Sequence, residues 1–407
     1  MDFVLSSLDS IAELPRWSVA VILGTGFVTY YLQTAVKKPI IACSKGRFRN
    51  YLETNVPILS EKYWPTVWCF ESRIQTVLAS VLRSSILPDI NYRREILKLK
   101  DGGEVALDWM ECEKSEEGKS PIVIILPGLT GGSQAEYVKG LVRAACQEGL
   151  TCVVFNNRGL GGVPLKTPRT YCACDFEDLS EVVDHIKSLH PDVPIGATGI
   201  SMGGLILGNY LAGEKMSQAS KKLSAAMGIS VPWNVFKGSE SIEKPLLNLL
   251  LNRHLVGNLC RTIERGGKHL EVGPWDLDKV LKSQTIREFD SHFTAKQFGF
   301  ASVDDYYSAA TLHNKLHHIQ VPMLCLSAAD DPFQPYEAIP VAEASSQENV
   351  ALAVTVRGGH IGFMEGLRLF PLHEQYMCRL FTQFFKAMLI KVYNVQRKVY
   401  SKRLLCS

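Results

Sequence analysis

Six short runs of mainly apolar residues recur between residues 121 and 356, separated by longer segments in which apolar residues return every three or four positions. The runs are PIVIIL (121–126), TCVVFN (151–156), IGATGI (195–200), SAAMGI (224–229), PMLCLS (322–327) and ALAVTV (351–356). Strands that are apolar on both faces are typical of a parallel sheet covered by helices on either side. The pattern therefore predicts an α/β fold with a mostly parallel sheet, and helices over 136–148 and 176–189.

Two departures from this rhythm divide the chain. Upstream of the first run, REILKL and EVALDW flank DGG (101–103), which is typical of an antiparallel hairpin. Between the fourth and fifth runs, residues 232–318 are rich in leucine and helical in pattern, which indicates an inserted helical cap. We therefore expect a core in two parts, 91–231 and 319–390, around this cap.

Residues 17–36 form a stretch of twenty residues without a charge, about the number that spans a bilayer. Trp17, Tyr30 and Tyr31 lie toward its ends, where aromatic rings favour the membrane interface. The stretch predicts a single-pass transmembrane helix; a cleaved signal peptide and a buried soluble helix are the alternatives. Five lysines and arginines within residues 37–49 predict that the carboxyl-terminal side lies in the cytosol.

The remaining segments and the composition add less. Residues 1–16 precede the uncharged stretch, residues 37–90 are expected to form an irregular juxtamembrane segment over the core, and residues 391–407 form a basic tail that either lies on a membrane surface or is solvated.

A net charge of only +3 argues against a nucleic-acid partner. Eleven scattered cysteines without zinc-like spacing predict free thiols and no metal site.

A G-x-S-x-G motif, Gly199 to Gly203, places Ser201 between an apolar run and a helical segment. In such a strand–turn–helix unit the serine lies on a sharp turn, which requires small neighbours and exposes Oγ at the end of the sheet. The amino terminus of the following helix also favours negative charge. Ser201 is therefore the predicted catalytic nucleophile.

A serine hydroxyl needs a base and an orienting acid. Of ten histidines, only His360 follows a late apolar run through glycines, in TVRGGHIGF, which predicts a loop at the carboxyl end of a strand. The preceding run leads into CLSAADDPFQP, so Asp330 and Asp331 are both candidates for the acid. The interval to Pro335 favours Asp331, with Asp330 then capping the loop. The order Ser201, Asp331, His360 matches one known order of triad residues.

An acyl-transfer reaction also needs N–H donors for the oxyanion. One candidate is the backbone N–H of Met202, directly after the nucleophile. The other lies in the glycine-rich loop ILPGLTGGS (125–133), where we expect Leu129 to donate and Gly128 to allow a close approach. This chemistry requires no cofactor and no metal.

Beyond the triad, the chain resembles the membrane-anchored α/β-hydrolases of the AB hydrolase 4 group, in particular the subgroup of abhydrolase domain-containing proteins 1 and 3. The resemblance covers nearly the whole chain and rests on YWPTVWCFESR, LPGLTGGS, VVFNNRG, TPRTYC, EDLSEVV, SIEKPL, TIREFD, DDYY and GGHIGFMEG. It implies an α/β-hydrolase fold, the triad on Ser201, Asp331 and His360, and an intracellular membrane such as the endoplasmic reticulum. It also implies a cytosolic amino terminus, opposite to the orientation that the charges predict.

The resemblance further implies a phospholipase of the A1 or A2 type, which cleaves phosphatidylcholines with medium-length or shortened acyl chains through an acyl-enzyme on Ser201. The substrate would then be a lipid ester presented by a membrane. A medium-chain acyl ester hydrolase or an acyl-CoA:alcohol acyltransferase uses the same acyl-enzyme and is an alternative. A non-catalytic membrane lipid-binding protein is the second alternative, against which the complete triad argues.

Overall fold

The protein is built around one mixed β-sheet. The computed structural model describes residues 15–69, 71–112, 120–213, 222–366 and 375–391. The described strands are β1 (Ile40–Ala42), β2 (Arg93–Lys98), β3 (Glu104–Met110), β4 (Ile122–Leu126), β5 (Thr151–Asn156), β6 (Ile195–Ile200), β7 (Ala225–Ile229), β8 (Met323–Ala328) and β9 (Val350–Thr355). They lie in the order β1-β9-β8-β7-β6-β4-β5-β3-β2.

The six predicted apolar runs are confirmed as strands and form the parallel part of the sheet, from β5 through β4, β6, β7 and β8 to β9. The predicted hairpin is also confirmed, because β2 pairs antiparallel with β3, which in turn pairs antiparallel with β5. Strand β1 was not predicted. It pairs antiparallel with β9 and covers the edge of the sheet at that side.

Helices cover both faces of the sheet. The α-helices of the described residues are α1 (Arg16–Tyr30), α2 (Arg47–Asn55), α3 (Ser72–Ile86), α4 (Glu136–Gln147), α5 (Glu177–Leu189), α6 (Met202–Ala212), α7 (Val235–Ile242), α8 (Leu247–Gly266), α9 (Leu277–Leu281), α10 (Ile286–Phe289), α11 (Ala295–Gln297), α12 (Val303–Ala310), α13 (Val341–Ala344) and α14 (Tyr376–Phe385).

The alternation of side chains along β4 shows how the two faces are packed. Ile122 and Ile124 point into a core with α5, α6 and α12, whereas Val123 and Ile125 point into a second core with α2, α4 and α14. All four side chains are buried, as expected for a strand covered on both sides.

The segment between β7 and β8 carries α7 to α12. Part of it forms a smaller apolar core, in which Val256, Leu259 and Phe293 pack with Leu165 of the loop after β5. The same core contacts Leu129 in the glycine-rich loop after β4. The inserted helices therefore lie over the end of the sheet where β4 and β6 terminate.

The structure does not support the predicted transmembrane helix over 17–36. No helix among the described residues is both long and apolar enough to cross a membrane. Helix α1 has 15 residues and continues directly into a π-helical turn. In this turn, Tyr31–Ala35, the side chains of Tyr31 and Ala35 are buried together with Val36.

The expectation of an irregular segment over 37–90 is wrong, because this segment contains β1, α2 and α3. The predicted basic tail lies outside the described residues, apart from Lys391, as does the segment 1–16, apart from Pro15 and Arg16. The ten described cysteines are free thiols.

Candidate active site

Ser201, Asp331 and His360 meet at the carboxyl end of the sheet, just after β6, β8 and β9 respectively. His360 Nε2 lies 2.9 Å from Ser201 Oγ, and His360 Nδ1 lies 2.9 Å from Asp331 Oδ2. The other carboxylate oxygen of Asp331 accepts a hydrogen bond from the Phe333 N–H at 2.8 Å, so the carboxylate is held from two sides. With Nδ1 protonated toward Asp331, the ring can accept a proton from Ser201 at Nε2.

Ser201 adopts a strained backbone conformation with φ +52° at the residue before α6. Its N–H donates to the Ile229 carbonyl at 2.8 Å, which ties the turn to β7. Two positions on, a Cβ at Gly203 would lie only 2.2 Å from the Leu126 carbonyl oxygen. Only glycine therefore lets α6 approach β4 closely enough for the turn to form. A residue held at such φ costs about 1–3 kcal/mol, which the packing of the two elements has to offset.

Of the two adjacent aspartates, the structure brings Asp331 to the histidine and gives Asp330 a different partner. Asp330 Oδ1 accepts a hydrogen bond from the Gly359 N–H at 3.0 Å, and its other oxygen lies 3.7 Å from Arg357 Nη1. Burial raises the pKa of Asp330 to about 7, against the lowering effect of these two contacts. Asp330 thus holds the loop that carries His360.

Further polar side chains hold the same loop, and none of them was found from the sequence. The N–H of His360 donates to Thr76 Oγ1 at 2.9 Å, and the N–H of Ile361 donates to Ser230 Oγ at 3.1 Å. The buried guanidinium of Arg83 donates to the carbonyls of Ile361, at 2.8 Å, and of Gly362. Ile361 has φ +63°, a conformation that this set of bonds stabilises.

The predicted oxyanion donors lie beside the nucleophile. A Cβ at Gly128 would be 3.3 Å from Ser201 Cβ, so the loop after β4 passes directly against the serine. The N–H groups on either side of Leu129 are already engaged, Gly128 with Tyr137 Oη at 2.9 Å and Thr130 with the Tyr171 hydroxyl. Among the described residues, the N–H groups of Leu129 and Met202 have no such acceptor. They are the two donors left available beside Ser201.

A cavity of about 270 Å³ opens beside the triad. Ser201, Met202 and His360 lie at one part of its wall. Most of the rest is apolar and includes side chains from α7, α8, α10 and α12. An ester bound at Ser201 can therefore place a hydrocarbon chain in this space.

One acid interrupts the apolar wall of this cavity. Asp290 lines it and accepts a hydrogen bond from the Tyr307 hydroxyl at 3.1 Å. Burial raises the pKa of Asp290 to about 7. The sequence motifs TIREFD and DDYY, for which no chemical role was predicted, supply these two residues.

The cysteines, histidines and acids of the described residues include no group of three or more that could hold a metal ion. The candidate site contains Ser201, His360 and Asp331, with the N–H groups of Leu129 and Met202 as candidate donors, beside an apolar cavity.

Comparison with known proteins agrees with this architecture. Residues 118–366 match the Hydrolase_4 family, described as "Serine aminopeptidase, S33". The chain is 43% identical to "Phospholipase ABHD3" of Mus musculus and 42% identical to that of Homo sapiens, in each case over 91% of this chain and 90% of the relative. It is 37% identical to "Protein abhd-3.2" of Caenorhabditis elegans over 78% of this chain and 84% of the relative. The strand order, the serine turn and these similarities together make the chain a member of the Hydrolase_4 family of α/β-hydrolases.

Proposed function

We propose that this carboxylic ester hydrolase is a phospholipase of the A1 or A2 type, which cleaves an acyl ester of phosphatidylcholines with medium-length or shortened acyl chains. The observation that carries the proposal is the hydrogen-bonded series Ser201–His360–Asp331 at the wall of an apolar cavity. A hydrocarbon next to an activated hydroxyl suits an ester of a fatty acid.

The reaction proceeds in two steps. Ser201 Oγ attacks the ester carbonyl while His360 Nε2 takes its proton, and the Asp331 carboxylate stabilises the imidazolium at Nδ1. The N–H groups of Leu129 and Met202 donate to the oxyanion. His360 then returns the proton to the leaving alcohol, and water, deprotonated by the same histidine, cleaves the acyl-enzyme.

The size of the cavity supports acyl chains of limited length. Its volume of about 270 Å³ lies just below the ~300–1,000 Å³ typical of ligand pockets. The names of the mouse and human relatives, both phospholipases, support a phospholipid as the carrier of the ester.

The exposed apolar side chains of α1 support binding of the enzyme to a membrane surface. Trp17 and Leu23 of α1 are 71% and 67% exposed, and α1 contains no acidic residue in its sequence RWSVAVILGTGFVTY. Such a helix gains free energy when its side chains leave water for the interface of a lipid layer. We therefore expect the substrate to be presented from a membrane.

Two experiments test the proposal. A fluorophosphonate probe labels the wild type and Ser345→Ala, which changes an exposed serine, but does not label Ser201→Ala. Phosphatidylcholines of graded acyl length are then incubated with the purified protein, and hydrolysis is expected to be fastest for medium-length chains. The isomer of the lysophospholipid product identifies the bond that is cleaved. Labelling of Ser201→Ala, or no release of fatty acid from any phosphatidylcholine, would contradict the proposal, and transfer to an added alcohol in preference to water would assign an acyltransferase instead.

A further inference from the structure

A second cavity, of about 470 Å³, lies beside the candidate active site. Its wall is formed by Thr130, by the loop 159–165 and by the carboxyl-terminal part of α8. Thr262 of α8 lines both this cavity and the apolar one, and Thr130 directly follows the predicted oxyanion donor Leu129. The two cavities are therefore neighbours, and the ester-cleaving groups lie next to their shared wall.

The charge of the second cavity differs from that of the first. Arg261 and Arg265 line it, and its lining residues include no aspartate or glutamate. Arg261 is held in place, because its Nε donates to the Gly257 carbonyl at 3.1 Å and its Nη2 to Asn258 Oδ1 at 2.6 Å. Both arginine side chains are exposed, and no ion pair joins either of them to a carboxylate of the described residues. We call this space the arginine cavity.

Nearby arginines show that this lack of a carboxylate is not general. Arg94 forms a two-point ion pair with Asp108, with both N···O distances 2.7 Å. Arg158, at the start of the same loop, pairs with Asp178 in the same way, at 2.6 and 2.7 Å. The exposed positive charges of Arg261 and Arg265 are therefore accessible to an anion from outside the protein.

The loop opposite the arginines also suits an anion. Gly161 and Gly162, both at positive φ, present backbone without side chains to the cavity, and their N–H groups have no acceptor among the described residues. The carboxyl terminus of α8 carries about half a negative charge, which repels an anion. Two guanidinium groups exceed this partial charge, so the cavity remains positive.

We propose that the arginine cavity binds the phosphate group of the acyl donor while its ester lies at Ser201. Guanidinium groups bind phosphate through paired, charge-assisted hydrogen bonds, and the adjacent apolar cavity receives the acyl chain of the same molecule. The inference rests on the proposed function and adds to it the residues that recognise the phosphate. A phosphodiester of a phospholipid and the phosphates of an acyl-CoA offer the same chemistry, and the experiment distinguishes them.

The test uses the full chain with Arg261→Gln/Arg265→Gln, and Arg253→Gln as the matched control, because Arg253 is an exposed arginine of α8 outside the cavity. Three donors with the same hexanoyl chain are compared: dihexanoylphosphatidylcholine below its micelle concentration, hexanoyl-CoA, and p-nitrophenyl hexanoate, which has no phosphate. For the double variant we expect kcat/KM to fall at least about tenfold on a phosphate-bearing donor, chiefly through KM, and to stay within about twofold on the p-nitrophenyl ester. The Arg253→Gln control keeps wild-type values on all three donors.

A loss confined to phosphatidylcholine assigns the arginine cavity to a phospholipid, and a loss confined to hexanoyl-CoA assigns it to a thioester donor; both support phosphate recognition. Glycerophosphocholine should also inhibit p-nitrophenyl hexanoate cleavage by the wild type more strongly than by the double variant. An equal loss on all three donors would show a structural role, and unchanged kinetics on both phosphate-bearing donors would show no role; either overturns the inference. Failure of the proposed function is a separate result, in which the wild type cleaves the p-nitrophenyl ester but not phosphatidylcholine.

Discussion

Thr76 Oγ1 accepts a hydrogen bond from the backbone N–H of His360 at 2.9 Å. Thr76 belongs to α3, in the segment that precedes the residues matched by the family, 118–366. A few residues along the same helix, Arg83 holds the carbonyls of Ile361 and Gly362. Helix α3 therefore fixes the histidine loop from outside the matched part of the chain.

Replacement of Thr76 by valine should lower kcat by roughly tenfold with little change in KM for a soluble ester. Valine keeps the shape but removes the acceptor, so the His360 loop loses one of its fixed points, and small displacements of a catalytic group are costly. Thr54→Val is the matched control, because Thr54 also donates to the carbonyl four residues earlier but lies in α2. A purely structural role for Thr76 would instead lower the melting temperature and leave kcat of the folded enzyme unchanged.

The two adjacent aspartates should differ sharply when each is changed to asparagine. Asp331→Asn removes the charge that stabilises the protonated His360, and kcat should fall by about 10⁴. Asp330→Asn keeps an oxygen that can accept from Gly359 N–H, so we expect a fall of less than about tenfold. Steady-state kinetics on a p-nitrophenyl ester measure both. Equal losses in the two variants would mean that the assignment of the acid is wrong.

The buried carboxyl of Asp290 should make stability depend on pH. Its pKa is about 7 in the folded protein and ordinary in the unfolded chain, so the folded state binds the extra proton between these two values. The stabilisation is complete below the ordinary pKa of 3.8 and is lost as pH rises through about 7. In that interval the free energy of unfolding falls by up to about 1.4 kcal/mol per pH unit.

Asp290→Asn is neutral at every pH and retains an acceptor for Tyr307. We expect it to flatten the pH dependence of denaturant unfolding between pH 4 and 7 and to raise stability at pH 8 by a few kcal/mol. Asp192→Asn, which changes an exposed carboxylate, should leave the wild-type dependence in place. A wild-type slope retained in Asp290→Asn would refute the role given to this group.

Two glycine-to-alanine substitutions should have opposite effects on stability, because one creates a steric conflict and the other only increases helix propensity. Gly203→Ala places a Cβ 2.2 Å from a backbone oxygen of β4, so the serine turn must shift and activity should be lost together with about 1–3 kcal/mol of stability. Gly257→Ala meets nothing within 4 Å and should stabilise α8 by about 0.5–1 kcal/mol. Unfolding curves and activity of both variants check this contrast.

The features that could be predicted from the sequence depend on residues close together in the chain. Continuous apolar runs mark the parallel strands because burial on both faces leaves no room for polar residues. Ser201 is marked by its own turn, and the choice of Asp331 came from the spacing to Pro335, four residues away.

The features that the sequence did not reveal depend on contacts between distant residues. Thr76 and His360 are 284 positions apart, and no local pattern identifies a threonine as the acceptor for a loop so far along the chain. Strand β1 has three residues, too few for a periodic signal. The hydrogen bond from the Tyr31 hydroxyl to the Pro65 carbonyl, at 2.6 Å, is a further contact between distant residues that an uncharged stretch does not disclose.

The pairing of β1 with β9 bears on how the enzyme is made. Residues 40–42 bond to residues 352–354, so β1 has no partner strand until residues 352–354 have been synthesised. The turn of Ser201 can form earlier during translation, but Ser201 contacts His360 only after β9 and the loop that follows it have been synthesised. A nascent chain that ends before residue 360 is thus expected to be inert toward esters, and hydrolysis begins only after β9 has paired.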